Sequence, residues 1–266
     1  MIPRKLVRLT SLLRWYLYRL SHRRGFRLYP LDGYKMYLDV GEFFTMYERL
    51  IGDFEPDKRR FITGVLRPGG TFVDIGVNKG DYALLAATCV GPSGRVVAIE
   101  PEPANCTWVR RSIEANGFGN IELIEAAADE RAGTAELFIG KKSGWHSLVP
   151  GAGASGETLE VATLALDAID SGGLAPDLIK IDVEGVEHRV LAGASDTVDR
   201  CRPTFVIDLH PHLGADIDAV ERFFDSRSYH AFALREPETR LERLPREPMD
   251  VVFRPAEQCP GAGNPA

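Results

Sequence analysis

The stretch TFVDIGVNKGDY, Thr71 to Tyr82, constrains the fold more than any other part of the chain. Its first half has strand composition, and from Tyr82 to Val90 the apolar residues take helical spacing. A buried strand must therefore break sharply into a glycine-lined turn and then a helix. Gly76 and Gly80 let the backbone adopt angles that a side chain forbids and let it approach a ligand closely. Asp74 falls at the carboxyl end of the strand, where open α/β sheets place their ligands. A second strand, Arg95 to Ile99, ends in Glu100, an acid about 20 residues past the glycines, where a carboxylate can accept both ribose hydroxyl hydrogens. These features together point to an adenosine-containing ligand.

The turn narrows the ligand. A dinucleotide fingerprint spaces its glycines GxGxxG so that a pyrophosphate rests on the helix amino terminus. Here the spacing is Gly76-x-x-x-Gly80, with Asp74 ahead of it and Asn78 inside it. A carboxylate beside the turn repels a pyrophosphate but suits the ammonium and sulfonium of S-adenosylmethionine. The bland alternative is a tight strand-to-helix turn with a capping Asp.

A second strand-to-helix junction, Leu178 to Glu187 (LIKIDVEGVE), carries three acids at its mouth. With VDIGVNKG, with IEPEP (Ile99 to Pro103), with TLALDAI (Thr163 to Ile169) and with RPTFVIDLH (Arg202 to His210), it closely resembles the FkbM-type family of S-adenosylmethionine-dependent methyltransferases. The resemblance spans residues 55 to 210, and KIDVEGVE is its specific part. Val77 departs from the family pattern, which has a smaller residue there, so it is expected to crowd the methionine chain.

The resemblance implies an α/β fold of the Rossmann-like class I methyltransferase type, a seven-stranded, mostly parallel sheet with helices on both faces. Strand and helix alternation along the chain agrees with a parallel sheet. Strands are expected at 71–75, 95–99, 121–125, 177–182 and 203–208, and helices at 80–90, 102–116, 186–194 and 215–227. Tyr229 to Leu234 and Asp250 to Phe253 fit an antiparallel edge pair. Residues 132–139 and 157–163 are expected to form an extra hairpin around the glycine-rich loop Gly140 to Gly156. Ahead of the domain, residues 1–54 form an extension: a basic amphipathic helix, a hairpin around Asp32-Gly33 and helical pattern at 43–51. The methyltransferase domain then occupies 55–255, beginning with helical pattern at 57–66, and 256–266 reads as a disordered tail.

Charge is uneven. Residues 1–31 hold eight Lys or Arg and no acid, so with −6 overall the remainder carries −14 (−6 − 8). On a helical wheel Leu6, Leu9, Leu13, Tyr16, Leu17 and Leu20 share one side, and Arg4, Lys5, Arg8 and Arg19 fall on the other. Two uses are open: peripheral contact with an anionic membrane through residues 4–24, or packing of the leucines on the domain or on a second subunit in a homodimer. The four cysteines show no metal spacing and suggest reduced thiols in a cytoplasmic compartment, with any membrane contact at its inner face. The acidic catalytic part disfavours nucleic acid as partner.

With S-adenosylmethionine as cofactor, the cofactor-facing set is Asp74, Gly76, Asn78, Gly80, Tyr82, Glu100, Pro101, Ala128, Asp129 and Asp182. Asp74 and Gly76 are assigned to the amino acid part, Glu100 to the ribose and the turn Ala127-Ala128-Asp129 to the adenine. Asn78 either touches the carboxylate or only holds the turn. The acceptor is a small-molecule or glycan hydroxyl, whose proton needs a base of suitable pKa. His210, at the end of the fifth strand, is the candidate base, with Asp182 and Glu184 as alternatives or as acceptor-positioning groups. His146, beside Trp145, either lines the acceptor pocket or is a solvated loop residue. Asp182, Glu184, Glu187 and Asp208 offer oxygen ligands, but Glu184 and Glu187 also read as helix-start carboxylates, and no resident metal is assigned. A nicotinamide-dependent oxidoreductase and a non-catalytic partner of a glycosyltransferase remain as other classes.

Overall fold

The computed structural model describes residues 4–21, 24–141, 145–150, 154–235 and 237–259. In chain order the elements are α1 (Arg4–Ser21), β1 (Arg27–Pro30), β2 (Lys35–Leu38), α2 (Phe44–Leu50), α3 (Pro56–Val65), β3 (Thr71–Ile75), α4 (Asp81–Val90), β4 (Arg95–Ile99), α5 (Pro103–Asn116) and β5 (Ile121–Ile124). They continue with β6 (Ala127–Ala128), β7 (Gly133–Gly140), β8 (Ala154–Leu164), β9 (Leu178–Ile181), α6 (Glu187–Ala192), α7 (Ser195–Cys201), β10 (Thr204–Leu209), α8 (Ile217–Asp225), β11 (Tyr229–Ala233), β12 (Thr239–Leu241) and β13 (Met249–Pro255).

The main sheet runs β12-β11-β13-β10-β9-β3-β4-β5. Strands β10, β9, β3, β4 and β5 pair in parallel, and β13, β11 and β12 add antiparallel. This is the class I methyltransferase order with one strand more than the seven expected. The addition is β12, only three residues long, which pairs with the outer edge of β11. From β3 the chain winds outward through β4 to β5, then returns to place β9 on the other side of β3. That reversal is the switch point at which open α/β sheets form a crevice.

Both faces of the central strands are covered, so they read as continuous apolar runs. Val73, Ile75, Ile179, Ile181, Phe205 and Ile207 pack with α6, α7 and α8 on one face. Phe72, Val96, Ala98, Leu178 and Val206 pack with α3, α4 and α5 on the other. Tyr34, Met36 and Leu38 of the β1–β2 hairpin are buried in that second layer, so the hairpin shares the core of the domain. Val77 is also buried there. It packs against the core and lines neither of the cavities described below.

Several local expectations are corrected. Ala127-Ala128 is a two-residue strand pairing with β8, not a turn. It joins β7 and β8 in a separate three-stranded sheet. The helix expected at 186–194 stops at Ala192, and a further helix, α7, follows it. The expected tail begins instead with a turn at Ala256–Gln258, where Glu257 pairs with Arg202 and Gln258 meets Thr204; residues 260–266 lie outside the described residues. So do 142–144 and 151–153 of the glycine-rich loop. The four cysteines are free.

Among the described side chains of α1, the leucines are not the ones that pack on the domain. Trp15 donates its indole N–H to the Val40 carbonyl at 2.8 Å, its ring meets Phe44 edge-on, and Tyr18 shares a 2.5 Å hydroxyl contact with Tyr29. Ser11 is buried, while Leu13, Tyr16, Leu17 and Leu20 are exposed. The face bearing residues 11, 15 and 18 therefore docks on the domain. No helix among the described residues is long and apolar enough to cross a membrane.

Candidate active site

The carboxyl ends of β3, β4, β9 and β10 deliver the acids and the histidine to one rim. After β3, Gly76 turns with φ +78°, and Asn78 takes φ +53° in the left-handed region. A Cβ on Gly76 would lie 1.9 Å from the Asp182 carbonyl oxygen, so glycine is required here by the adjacent strand end. After β4, the Glu100 carboxylate accepts the Asn78 N–H at 2.7 Å, the Glu102 N–H at 3.1 Å and the Asn105 side-chain amide at 3.0 Å. A carboxylate has about four acceptor directions, which leaves one for a ligand. Burial pushes the Glu100 carboxyl up to about 7, against the lowering effect of these donors.

A cavity opens between these turns. Gly76, Asn78, Glu100, Pro101, Ala128 and Asp182 line it as expected. Asp74, Gly80, Tyr82 and Asp129 do not, and each has a structural reason. Asp74 lies inside β3, where its register partner across β9 is Lys180, and the ammonium stands 3.1 Å from Oδ1. Gly80 begins α4 with φ +95°, and a Cβ there would press within 3.3 Å of Val109. Tyr82 is buried and donates to Glu55 at 2.5 Å. Asp129 is held by the Arg189 guanidinium, Nε to Oδ1 at 2.8 Å.

Next to this cavity lies a second, lined by Glu55, Asp208, His210, Met249 and Asp250. Asp182 and Glu184 line both. His210 Nδ1–H donates to the fully buried Glu187 at 2.9 Å, which leaves Nε2 facing Glu184 at 3.4 Å. Burial disfavours the charged imidazole. The Glu187 hydrogen bond and the charges of Glu184 and Asp182 outweigh it, and the pKa is raised to about 9. Burial and the neighbouring Asp208 push Asp182 up to about 8, and burial also raises Glu184. Behind these lining acids, Lys58 Nζ is 2.6 Å from Asp208, 3.1 Å from Asp250 and 3.3 Å from Glu55. Burial opposes the Lys58 charge, but the three carboxylates hold its pKa well above the usual range. Asp182, Glu184 and His210 each offer a ligand atom, all within 4.8 Å of one another, so a divalent ion would compete there with the proton on His210.

A family model described as the methyltransferase FkbM domain matches residues 74–231, more than half of the chain. The chain belongs to the FkbM methyltransferase family. Relatives outside that match are partial. A ribosomal protein L11 methyltransferase of Pelotomaculum thermopropionicum is 31% identical over 130 residues, 44% of this chain and 42% of that protein. A probable cobalt-precorrin-6B C(15)-methyltransferase of Sulfolobus acidocaldarius is 34% identical over 62 residues, 23% of this chain and 32% of that protein. The chain thus spans less than half the length of these curated relatives. Among solved structures, an FkbM methyltransferase from Methylobacillus flagellatus KT is 19% identical, with a TM-score of 0.47 over 79% of this chain and 54% of that one. The M. jannaschii TYW2 in complex with AdoMet is 13% identical, with a TM-score of 0.46 over 88% and 86%.

In this FkbM methyltransferase β7 and the segment that bridges to it supply wall residues that the sequence did not mark, Leu137 from β7 and Ser147 and Leu148 from that segment. Ser147 bridges back to Phe138 and donates its hydroxyl to the Glu184 carbonyl at 2.5 Å. His146 lines the first cavity and not the second, so it is no solvated loop residue but does not stand on the acceptor side either, and its Nδ1 accepts the Gly140 N–H at 3.1 Å. Asn105, on α5, was missed as well; the capping pattern of Glu102, whose side chain accepts the Asn105 N–H at 3.0 Å, was the available signal. Glu55, Lys58 and Asp250 come from distant segments, and only the tertiary fold brings them together.

Proposed function

We propose that the protein is an S-adenosylmethionine-dependent O-methyltransferase acting on a hydroxyl of a sugar, glycolipid or secondary metabolite. The observation that carries this reading is the wall shared by the two cavities: Asp182 and Glu184 border both. A donor on one side and an acceptor on the other would meet there. The buried Glu100 carboxylate, with one acceptor direction left, suits a donating ribose hydroxyl. When bound, S-adenosylmethionine supplies a methyl group already activated on a sulfonium.

The residues of this chain then have three tasks. Glu100, Asn78 and Gly76 hold the ribose side, and Ala128 and Leu137 give the adenine an apolar wall. Lys180 fixes the turn from behind by donating to the Gly76 carbonyl at 3.2 Å while it pairs with Asp74. On the acceptor side, Asp182 and Glu184 orient the substrate through hydrogen bonds to its hydroxyls. His210 Nε2, when neutral, takes the proton from the reacting oxygen as the new C–O bond forms, the methyl–sulfur bond breaks and S-adenosylhomocysteine is left. Glu187 selects the tautomer with the proton on Nδ1, as an acceptor-only carboxylate must. The many carboxylates of the second cavity favour a neutral, hydroxyl-rich acceptor over a phosphorylated one.

The family match speaks against a nicotinamide-dependent oxidoreductase, and the paired cavities speak against a non-catalytic partner. A methyl-transfer screen with labelled S-adenosylmethionine against glycan and lipid extracts tests the proposal. Base-stable label in a hydroxylated product supports it. Label found only in protein or nucleic acid would sink it.

A further inference from the structure

We infer that α1 is an anionic-membrane docking element, with an apolar stripe pointing away from the domain. The helix has two apolar faces. Residues 11, 15 and 18 hold it to the domain through the Trp15 and Tyr18 contacts. At 100° per residue the stripe of Leu13, Tyr16, Leu17 and Leu20 lies on the opposite side. Those four side chains are 61%, 57%, 57% and 70% exposed, among the largest exposures of bulky apolar residues in the protein. The helix is thus anchored by one face and offers the other whole. Arg14 lies on one flank of the stripe and Arg19, stacked 5.0 Å over the Trp15 ring, on the other.

Charge decides the occupant. Residues 1–31 carry eight basic residues and no acid. A second copy docked by two-fold symmetry would set the same cationic segment against itself. An anionic lipid surface complements it, at about 1 kcal/mol for each basic residue near the surface. The remainder of the chain, at −14 (−6 − 8), is repelled by the same surface. The asymmetry therefore orients the molecule with α1 toward the lipid, and apolar side chains enter the headgroup boundary from a helix lying in its plane.

The test sediments the full chain with vesicles of phosphatidylcholine and phosphatidylglycerol, and separately with phosphatidylcholine alone. The expected result is binding to the mixed vesicles that weakens in high salt, with little binding to the neutral ones. The variant Leu13→Gln/Leu17→Gln/Leu20→Gln, altered only at exposed positions, should bind the mixed vesicles at least about tenfold more weakly. An unchanged midpoint of urea unfolding shows that this variant is folded, and a failure of the methyltransferase reading would leave the vesicle result untouched. Absence of binding to mixed vesicles overturns the inference, as does a variant that binds like the parent. A dimer in solution that the variant dissolves, with no vesicle binding, would give the stripe to a second copy.

Discussion

Asp74 and Lys180 face each other across β3 and β9, with the Lys180 ammonium 3.1 Å from Asp74 Oδ1 and 3.2 Å from the Gly76 carbonyl. Neither side chain reaches solvent to any extent, at 0% and 3% exposure. The acid of the glycine-turn motif therefore supports the turn through a lysine of the neighbouring motif. Burial opposes both charges, yet Asp74 keeps the Lys180 pKa raised. Removing one partner leaves the other charge buried and unpaired, which costs about 3–5 kcal/mol. Asp74→Asn should lower the midpoint of urea unfolding accordingly, and the double variant Asp74→Leu/Lys180→Met should recover much of the loss. If the single variant unfolds like the parent, the pair is not a support.

Glu100 is the carboxylate that faces the cavity, and its role separates from that of Asp74. Glu100→Gln keeps the shape but removes charge-assisted acceptance, worth about 1.5–3 kcal/mol. Affinity for S-adenosylhomocysteine should fall roughly tenfold to a hundredfold by calorimetry. Because burial raises this carboxyl to about 7, affinity in the parent should strengthen as pH rises through that value, and the variant should lose the dependence. A pH-independent parent would exclude an anionic Glu100 from binding.

His210 must lose its proton to serve as a base, and its pKa is raised to about 9. The rate at saturating substrate should therefore climb with pH and level off above about 9. Stability runs the other way. The imidazolium pairing contributes fully below the ordinary value of 6.5 and is lost as pH rises through about 9. Glu187→Gln removes the strongest influence raising that pKa, so the rate profile should shift to lower pH while the plateau falls. His210→Ala should preserve S-adenosylhomocysteine binding and cut turnover by about 10²–10⁴. A profile unmoved by Glu187→Gln would place the base elsewhere.

The same proton bears on metal dependence. With a cationic imidazole beside Glu184 and Asp182, the three groups within 4.8 Å already hold a compensating charge. Activity should be insensitive to EDTA, and added magnesium should not stimulate it. Loss of turnover in EDTA, restored by a divalent ion, would assign these residues to a cation.

Much of this site was legible in the sequence, for reasons that also mark where legibility stops. Strands β4, β9 and β10 are apolar runs followed at once by Glu100, Asp182 and His210, so placing these three on one rim needed only the parallel α/β pattern. Asp74 was misplaced because it precedes the last residue of β3, and its pairing depends on a register with a strand some hundred residues later. The leucine wheel of α1 revealed an apolar face but not its orientation. That was set by Trp15 and Tyr18, whose partners Val40 and Tyr29 come from separate segments. Strand β12 is too short to carry a pattern. The second cavity escaped notice because Glu55 and Lys58 come from the cap and first turn of α3 and Asp250 from β13, and nothing local links these segments.

Gly140 joins the small sheet to the cavity wall, and a single methyl group there tests whether that wall matters. A Cβ at this position would lie 2.3 Å from the Trp145 carbonyl oxygen and 2.6 Å from its Cβ. Both are far inside contact distance, and one is backbone. In Gly140→Ala the segment carrying His146, Ser147 and Leu148 must move away from β7, with loss of the Gly140 N–H bond to His146. The main sheet has no part in this contact, so the unfolding midpoint should change little. Affinity for S-adenosylhomocysteine should weaken by about tenfold or more, as expected when a cavity loses one enclosing side. Ser147→Ala, which removes the hydroxyl bond to the Glu184 carbonyl and the acceptor of the Val149 N–H, should have a smaller effect on affinity and a larger one on turnover, since Glu184 borders the acceptor cavity. Equal and unchanged affinities in both variants would mean that the small sheet stands beside the site without forming part of it.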